Sequence, residues 1–86
     1  MERLDIIREY ISQGEVEKAC HELDIYLQTS DTGKDEAYYL YGNARRKQGN
    51  WQQALNNYRH AMDINPDSPA RHAYQMVMDI LNFYNK

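Results

Sequence analysis

Several features that mark common protein classes are missing from this chain of 86 residues. It has one cysteine, Cys20, so no disulfide can form within it, and we predict a reducing, cytoplasmic environment. No apolar run approaches the ~20 residues that a bilayer crossing needs. The start, Met1-Glu2-Arg3-Leu4-Asp5, mixes charges within five residues and is unlike a secretory signal.

Residues that favour β structure or nucleic-acid binding are also scarce. There are two prolines and four glycines, and valine, isoleucine and threonine are few, which argues against strands. Ten Lys and Arg against 13 Asp and Glu give a net charge of -3, which disfavours binding to phosphate backbones. With 42% hydrophobic and 27% charged residues, the composition predicts one small folded domain.

A repeat becomes visible when the sequence is shifted onto itself by 35 residues. Gln13-Gly14 then falls on Gln48-Gly49, and six apolar residues that follow fall on six others. In order, Val16, Ala19, Cys20, Leu23, Tyr26 and Leu27 fall on Trp51, Ala54, Leu55, Tyr58, Ala61 and Met62. Their spacing of i, i+3, i+4 and i+7 is the stripe of an amphipathic helix.

The pattern predicts an all-α fold with five helices. Glycine suits the end of a helix, so Gly14 and Gly49 are expected to end the first and third. Asn50 is expected to cap the fourth, and Ser68, followed by Pro69, the fifth. The predicted helices are residues 2–13, 15–29, 34–48, 51–64 and 69–84.

Residues 35–68 resemble a tetratricopeptide repeat. The matching positions are Tyr38, Tyr41, Gly42, Ala54, Tyr58, Ala61 and Pro66, whereas Arg45 departs from the family pattern. The resemblance implies a short α-solenoid of stacked antiparallel helical hairpins in a single domain, 1–86. Its parts would be a degenerate repeat (1–34), a repeat (35–68) and a C-terminal capping helix (69–86). It also implies a non-catalytic protein–protein interaction module, an adaptor or an assembly scaffold.

In such arrays the first helices of the repeats line a concave groove that binds a protein or peptide. The positions transferred by the resemblance are Leu4, Arg8, Ile11, Ser12, Glu36, Tyr39, Asn43, Arg46 and Lys47. Because Arg46 and Lys47 are basic, we expect a mild preference for acidic segments. The alternative is that these are ordinary exposed helix residues.

Candidate residues for catalysis and metal binding do not form a recognisable site. Cys20 lies on an apolar stripe, which predicts a buried, inert thiol. Glu17 and His21 share one helix face, but no third ligand follows at helical spacing. There is no glycine-rich phosphate loop and no serine-centred elbow. We therefore predict no catalytic residue, no metal site and no cofactor.

The fifth helix is more apolar than a simple cap requires. Its apolar arc spans about 220°, whereas a cap needs one buried and one solvated face. We therefore expect Met76, Met78, Phe83 and Tyr84 to support self-association as a homodimer. The alternative is that this helix bends around the end of the array and hides the arc internally.

Two other functions stay open beside partner binding. One is a small structural protein that self-associates through residues 69–84. The other, weaker one is RNA contact through Tyr39 and Arg45-Arg46-Lys47. Basic residues at a helix C-terminus are also favoured by the helix dipole, which weakens the RNA reading.

Overall fold

A computed structural model describes residues 2–84 of the chain. Within that range the backbone forms five helices and no strand: α1 (Arg3–Ser12), α2 (Val16–Thr29), α3 (Lys34–Lys47), α4 (Trp51–Ile64) and α5 (Ala70–Tyr84). Each helix end lies within one residue of its predicted position, and the all-α fold is confirmed. Residues 1, 85 and 86, which the predicted units include, lie outside the described range. Over residues 2–84, no helix has both the length and the apolar character to span a bilayer.

The residues that were predicted to begin or end helices do so in the structure. Gly14 and Gly49 follow α1 and α3 with φ of 85° and 75°, a left-handed conformation that suits glycine. The side chain of Asn50 accepts a hydrogen bond from the backbone N–H of Gln53 at 3.2 Å, which caps α4. Ser68 accepts one from the backbone of the first residue of α5 at 3.1 Å. Short turns therefore join α1 to α2 and α3 to α4.

Two apolar clusters hold the helices together, and α3 lies between them. The first cluster joins α1 and α2 to one side of α3, and the second joins α4 to α5. The first consists of Leu4, Ile7, Ile11, Ala19, Cys20, Leu23, Ala37, Leu40, Tyr41 and Ala44. The second consists of Ala54, Leu55, Tyr58, Ala61, Ala70, Ala73 and Val77. Each helix thus buries the stripe that its periodicity predicts, and the stacked helices share one continuous core.

The closest approach of α3 to α4 occurs where Gly42 faces Tyr58. A Cβ atom at position 42 would overlap the aromatic ring of Tyr58, which is completely buried. Only glycine leaves space for that ring. The predicted inward orientation of Tyr58 is confirmed, and Trp51, at the start of α4, is half-buried.

Burial also changes the acidity of Tyr58. Its hydroxyl donates a hydrogen bond to Oδ1 of Asn43 at 2.5 Å. Burial raises the pKa of Tyr58 to about 12, although the nearby positive charge of Arg46 opposes the rise. The side chain therefore stays protonated in the folded protein well above the pH at which a free tyrosine ionises.

We predict that Gly42→Ala destabilises the protein by up to about 2 kcal/mol. Overpacking a core typically costs about 1–3 kcal/mol, and the better helix propensity of alanine returns roughly 1 kcal/mol of that. Urea unfolding followed by circular dichroism measures the change. In a Tyr58→Leu background the same substitution should cost less, because the ring is gone. Equal costs in both backgrounds would show that the ring is not the obstacle.

A second prediction concerns alkaline pH. Below pH 10 Tyr58 is protonated in both the folded and the unfolded state. Above it the unfolded state releases the proton, while the folded state keeps it to about pH 12. The free energy of unfolding should therefore fall with rising pH between 10 and 12, by up to about 1.4 kcal/mol per pH unit from this group.

Tyr58→Phe isolates this contribution, because other groups titrate in the same range. Urea unfolding between pH 9 and 11.5 should show a shallower decline for the variant than for the unmodified chain. Parallel declines would mean that Tyr58 has an ordinary pKa in the folded state.

Candidate functional site

One face of α3 carries four polar or aromatic side chains that are not fully buried, of which Tyr39 also packs against both apolar clusters. Tyr39, Asn43 and Lys47 are spaced four residues apart, and Arg46 lies beside them on the same side of the helix. Lys47 is exposed, and the other three are partly buried. Because the opposite side of α3 is apolar and buried, this face is held in a fixed orientation.

Two hydrogen-bond donors lie near each other on this face. Asn43 uses its carbonyl oxygen to accept from Tyr58, which leaves its amide N–H groups as donors, and residues 2–84 supply no acceptor for them. Arg46 follows Asn43 by three residues on the same side of α3, and its positive charge acts to lower the pKa of Tyr58. An amide and a guanidinium together suit a peptide carbonyl or a carboxylate.

Arg8 connects α1 to this face. Its Nη2 donates to Oε2 of Glu36 at 3.0 Å and its Nη1 to Oδ1 of Asp5 at 3.1 Å. About half of the Arg8 side chain is exposed, so these ion pairs contribute at most about 1 kcal/mol. Two carboxylates already neutralise Arg8, which leaves Arg46 and Lys47 as the local positive charge.

Two positions that the resemblance assigned to the groove lie in the core instead. Ile11 is 6% exposed and Leu4 is 7% exposed, and both belong to the cluster that joins α1, α2 and α3. Together with Ile7 they form the apolar stripe of a short helix, and burying them is worth more than exposing them to a partner. Ser12 is exposed. The surface that α1 adds to the face is therefore Arg8 and Ser12.

The fifth helix does expose apolar side chains, as expected. Met76 is 44% exposed, Phe83 69% and Tyr84 77%. Met78 differs, because it is half-buried against the cluster that joins α4 to α5. Self-association through these residues stays a prediction.

A polar contact between α2 and α3 was not anticipated from the sequence. The Tyr41 hydroxyl donates to Oδ1 of Asp24 at 2.8 Å and accepts from Nη2 of Arg45 at 3.3 Å. The Arg45 guanidinium lies 5.1 Å from the centre of the Tyr41 ring. Burial, and then the hydrogen bond with Asp24, raise the pKa of Tyr41. The break that Arg45 makes in the apolar stripe was the signal for this contact.

The remaining reactive groups are arranged for structure rather than chemistry. Cys20 is buried as predicted, and that burial raises the pKa of its thiol, so it is protonated at neutral pH. His60 stacks on Tyr38 with ring centres 4.8 Å apart. Over residues 2–84 no three histidine, cysteine or acidic side chains converge as metal ligands would. The surface is suited to non-covalent recognition.

Comparison with known proteins agrees with this architecture. The tetratricopeptide repeat family profile matches residues 35–68. The solution NMR structure of Bacteroides fragilis protein BF1650 is similar to the chain with a TM-score of 0.95 and 62% identity, over 100% of this chain and 87% of that one. A search of curated proteins finds no match.

The repeat that the family profile matches is the one whose helices meet at Gly42 and Tyr58. Repeats of this kind generally mediate protein–protein interactions and are typically non-catalytic. The five helices, their short turns and their stacked core have the architecture that such repeats build. This chain belongs to the tetratricopeptide repeat family.

Proposed function

We propose that this chain is a non-catalytic interaction module, an adaptor or assembly scaffold, that binds a segment of another protein. The binding surface, which we call the concave face, consists of Tyr39, Asn43, Arg46 and Lys47 of α3 with Arg8 and Ser12 of α1. The chain as a whole would consist of a first, degenerate repeat over 1–34, a repeat over 35–68 and a capping helix over 69–86. The single unpaired cysteine supports a cytoplasmic location.

The observation that carries this proposal is the Asn43 amide, which the hydrogen bond from Tyr58 holds in place beside Arg46 on the same face of α3. The hydrogen bond from Tyr58 holds the Asn43 carbonyl, so its amide is oriented before any partner arrives. Groups that are already ordered lose less entropy on binding. A rigid amide beside a guanidinium favours an extended segment that offers carbonyl or carboxylate oxygens.

The local charge favours an acidic segment. The last turn of α3 contains Arg45, Arg46 and Lys47, in a chain whose net charge is -3. Arg45 bonds to Gln48 and Tyr41 within the protein. Arg46 and Lys47 are the two that meet a partner's carboxylates, and Arg46 can do so with two hydrogen bonds.

We predict that Arg46→Glu combined with Lys47→Glu weakens binding of acidic peptides by at least about 10-fold. Removing two attractive charges and adding two repulsive ones acts directly on the acidic partner. The ligands are eight-residue peptides selected from a randomised display library. Amide shifts of Asn43 and residue 47 in a titration give the affinity.

The matched control is Arg59→Glu, which changes the charge of an exposed residue on α4. It should leave the affinity within about twofold of the unmodified chain, apart from general screening. If the α3 variant bound the selected peptides as tightly as this control, the concave face would not be the site.

Self-association through α5 is a second candidate function. The exposure of Phe83 and Tyr84 favours it, because large exposed apolar patches often mark interfaces. Sedimentation equilibrium up to about 100 μM distinguishes partner binding from self-association, since a module that acts only on other proteins stays monomeric. A dimer at micromolar concentration would favour self-assembly.

A further inference from the structure

An apolar cleft lies at the junction of α4 and the end of α5, and it bears on the nature of the bound segment. It has a volume of about 560 Å³ and is lined by Trp51, Asp79, Ile80, Phe83 and Tyr84. Phe83 and Tyr84 are mostly exposed, and their rings meet edge to face with centres 5.4 Å apart. Covering these large apolar side chains with another apolar group lowers the free energy, because it removes apolar surface from water.

Helix geometry relates this cleft to the concave face. The buried residues of α3 include Ala37, Leu40 and Ala44, and those of α5 are Ala70, Ala73 and Val77. Both sets have the spacing i, i+3 and i+7, so the two helices can be superposed on them.

That superposition places Met76 of α5 at the position of Asn43, and Ile80 at the position of Lys47. Phe83 follows Ile80 on the same side of the helix. By this superposition the exposed apolar residues of α5 occupy the helix positions that correspond to the concave face of α3.

The turn before Trp51 is bonded to the basic last turn of α3. The backbone N–H of Asn50 donates to the carbonyl of Arg45 at 2.9 Å, and that of Gly49 to the carbonyl of Arg46 at 2.9 Å. Asp79 lies on the cleft wall and accepts a hydrogen bond from Gln75 at 3.0 Å. A carboxylate of a partner is thus repelled from the α5 side and attracted to the end of α3.

We propose that the cleft between Trp51 and Phe83 receives a large aliphatic or aromatic side chain of the segment bound on the concave face. The segment carries an acidic residue within a few positions, which Arg46 and Lys47 hold. This assignment rests on the proposed function. It adds an apolar contact to the charged contact by which the chain would recognise the bound segment.

Area and charge both favour such a segment over a second copy of the chain. Phe83 and Tyr84 expose roughly 300 Å² together, well short of the ~800 Å² that each partner buries in a standard interface. The positive charge of Arg46 and Lys47 at the end of α3 also favours an acidic segment over a second copy that carries the same positive charge.

The test uses eight-residue peptides from a randomised display library, selected on the immobilised full chain. Trp51, the single tryptophan, reports entry into the cleft by its fluorescence. We expect selected peptides to carry Phe, Leu, Ile or Met within three positions of Asp or Glu. Changing that apolar residue to serine should weaken binding about 10- to 100-fold.

Phe83→Asn should cause a loss of similar size. The matched control is Ile64→Asn, which replaces an exposed apolar residue at the opposite end of α4. Both positions are on the surface, so both variants are expected to fold. The control should keep the affinity of the unmodified chain within about twofold.

The other outcomes separate this inference from the function it rests on. Acidic peptides without a large apolar residue, bound equally well by Phe83→Asn, would overturn the cleft and leave the proposed function standing. Peptides whose binding depends on Phe83 but not on Arg46 and Lys47 would overturn both this inference and the concave face as the binding site. No selection at all would overturn both. A dimer that Phe83→Asn dissociates would make a second copy the occupant and overturn the inference.

Discussion

The contact between Gly42 and the ring of Tyr58 determines how closely α3 and α4 approach. The absence of a side chain at position 42 lets the ring lie flat against the backbone of α3. From there the Tyr58 hydroxyl reaches Asn43, one residue further along α3. The same contact therefore packs the core and orients an amide on the concave face. Through this one aromatic side chain, core packing is coupled to the surface that we propose for partner binding.

The helices differ in what they contribute to the core and to the surface, according to the apolar residues that each one can bury. α3 packs on both sides, which is why it supplies residues to the core and to the concave face. α1 buries Leu4, Ile7 and Ile11 in the core and adds mainly the polar side chains of Arg8 and Ser12 to the proposed surface. α5 has more apolar residues than α4 can cover, and the excess remains exposed beside Trp51. The surface thus changes from charged at α1 to apolar at α5.

The sequence predicted the helices and their ends because those depend on local chemistry. Gly14, Gly49, Asn50 and Ser68 act through their own backbone or the next turn, and their effects can be read without a tertiary structure. The inward orientation of Tyr58 followed from its place on a regular apolar stripe. These features made the fold predictable.

The candidate site was predictable only in part, because it depends on how helices meet. The residues of α3 that were assigned to the groove are exposed or partly buried, whereas Ile11, assigned there too, is buried in the core. The pairing of Arg8 with Glu36 depends on the angle between α1 and α3, which spacing along the chain does not give. The contact of Arg45 with Tyr41 likewise required α2 to be in place.

The most direct test of the account is a nuclear Overhauser measurement between the α-protons of Gly42 and the ring protons of Tyr58. The account predicts strong cross-peaks, with the glycine signals displaced by the ring current and the Asn43 side-chain amide resolved from the others. Missing cross-peaks, with Tyr58 at the chemical shifts of an exposed tyrosine, would contradict it. The helices would then pack by some other contact, and the orientation of Asn43 would have no structural basis.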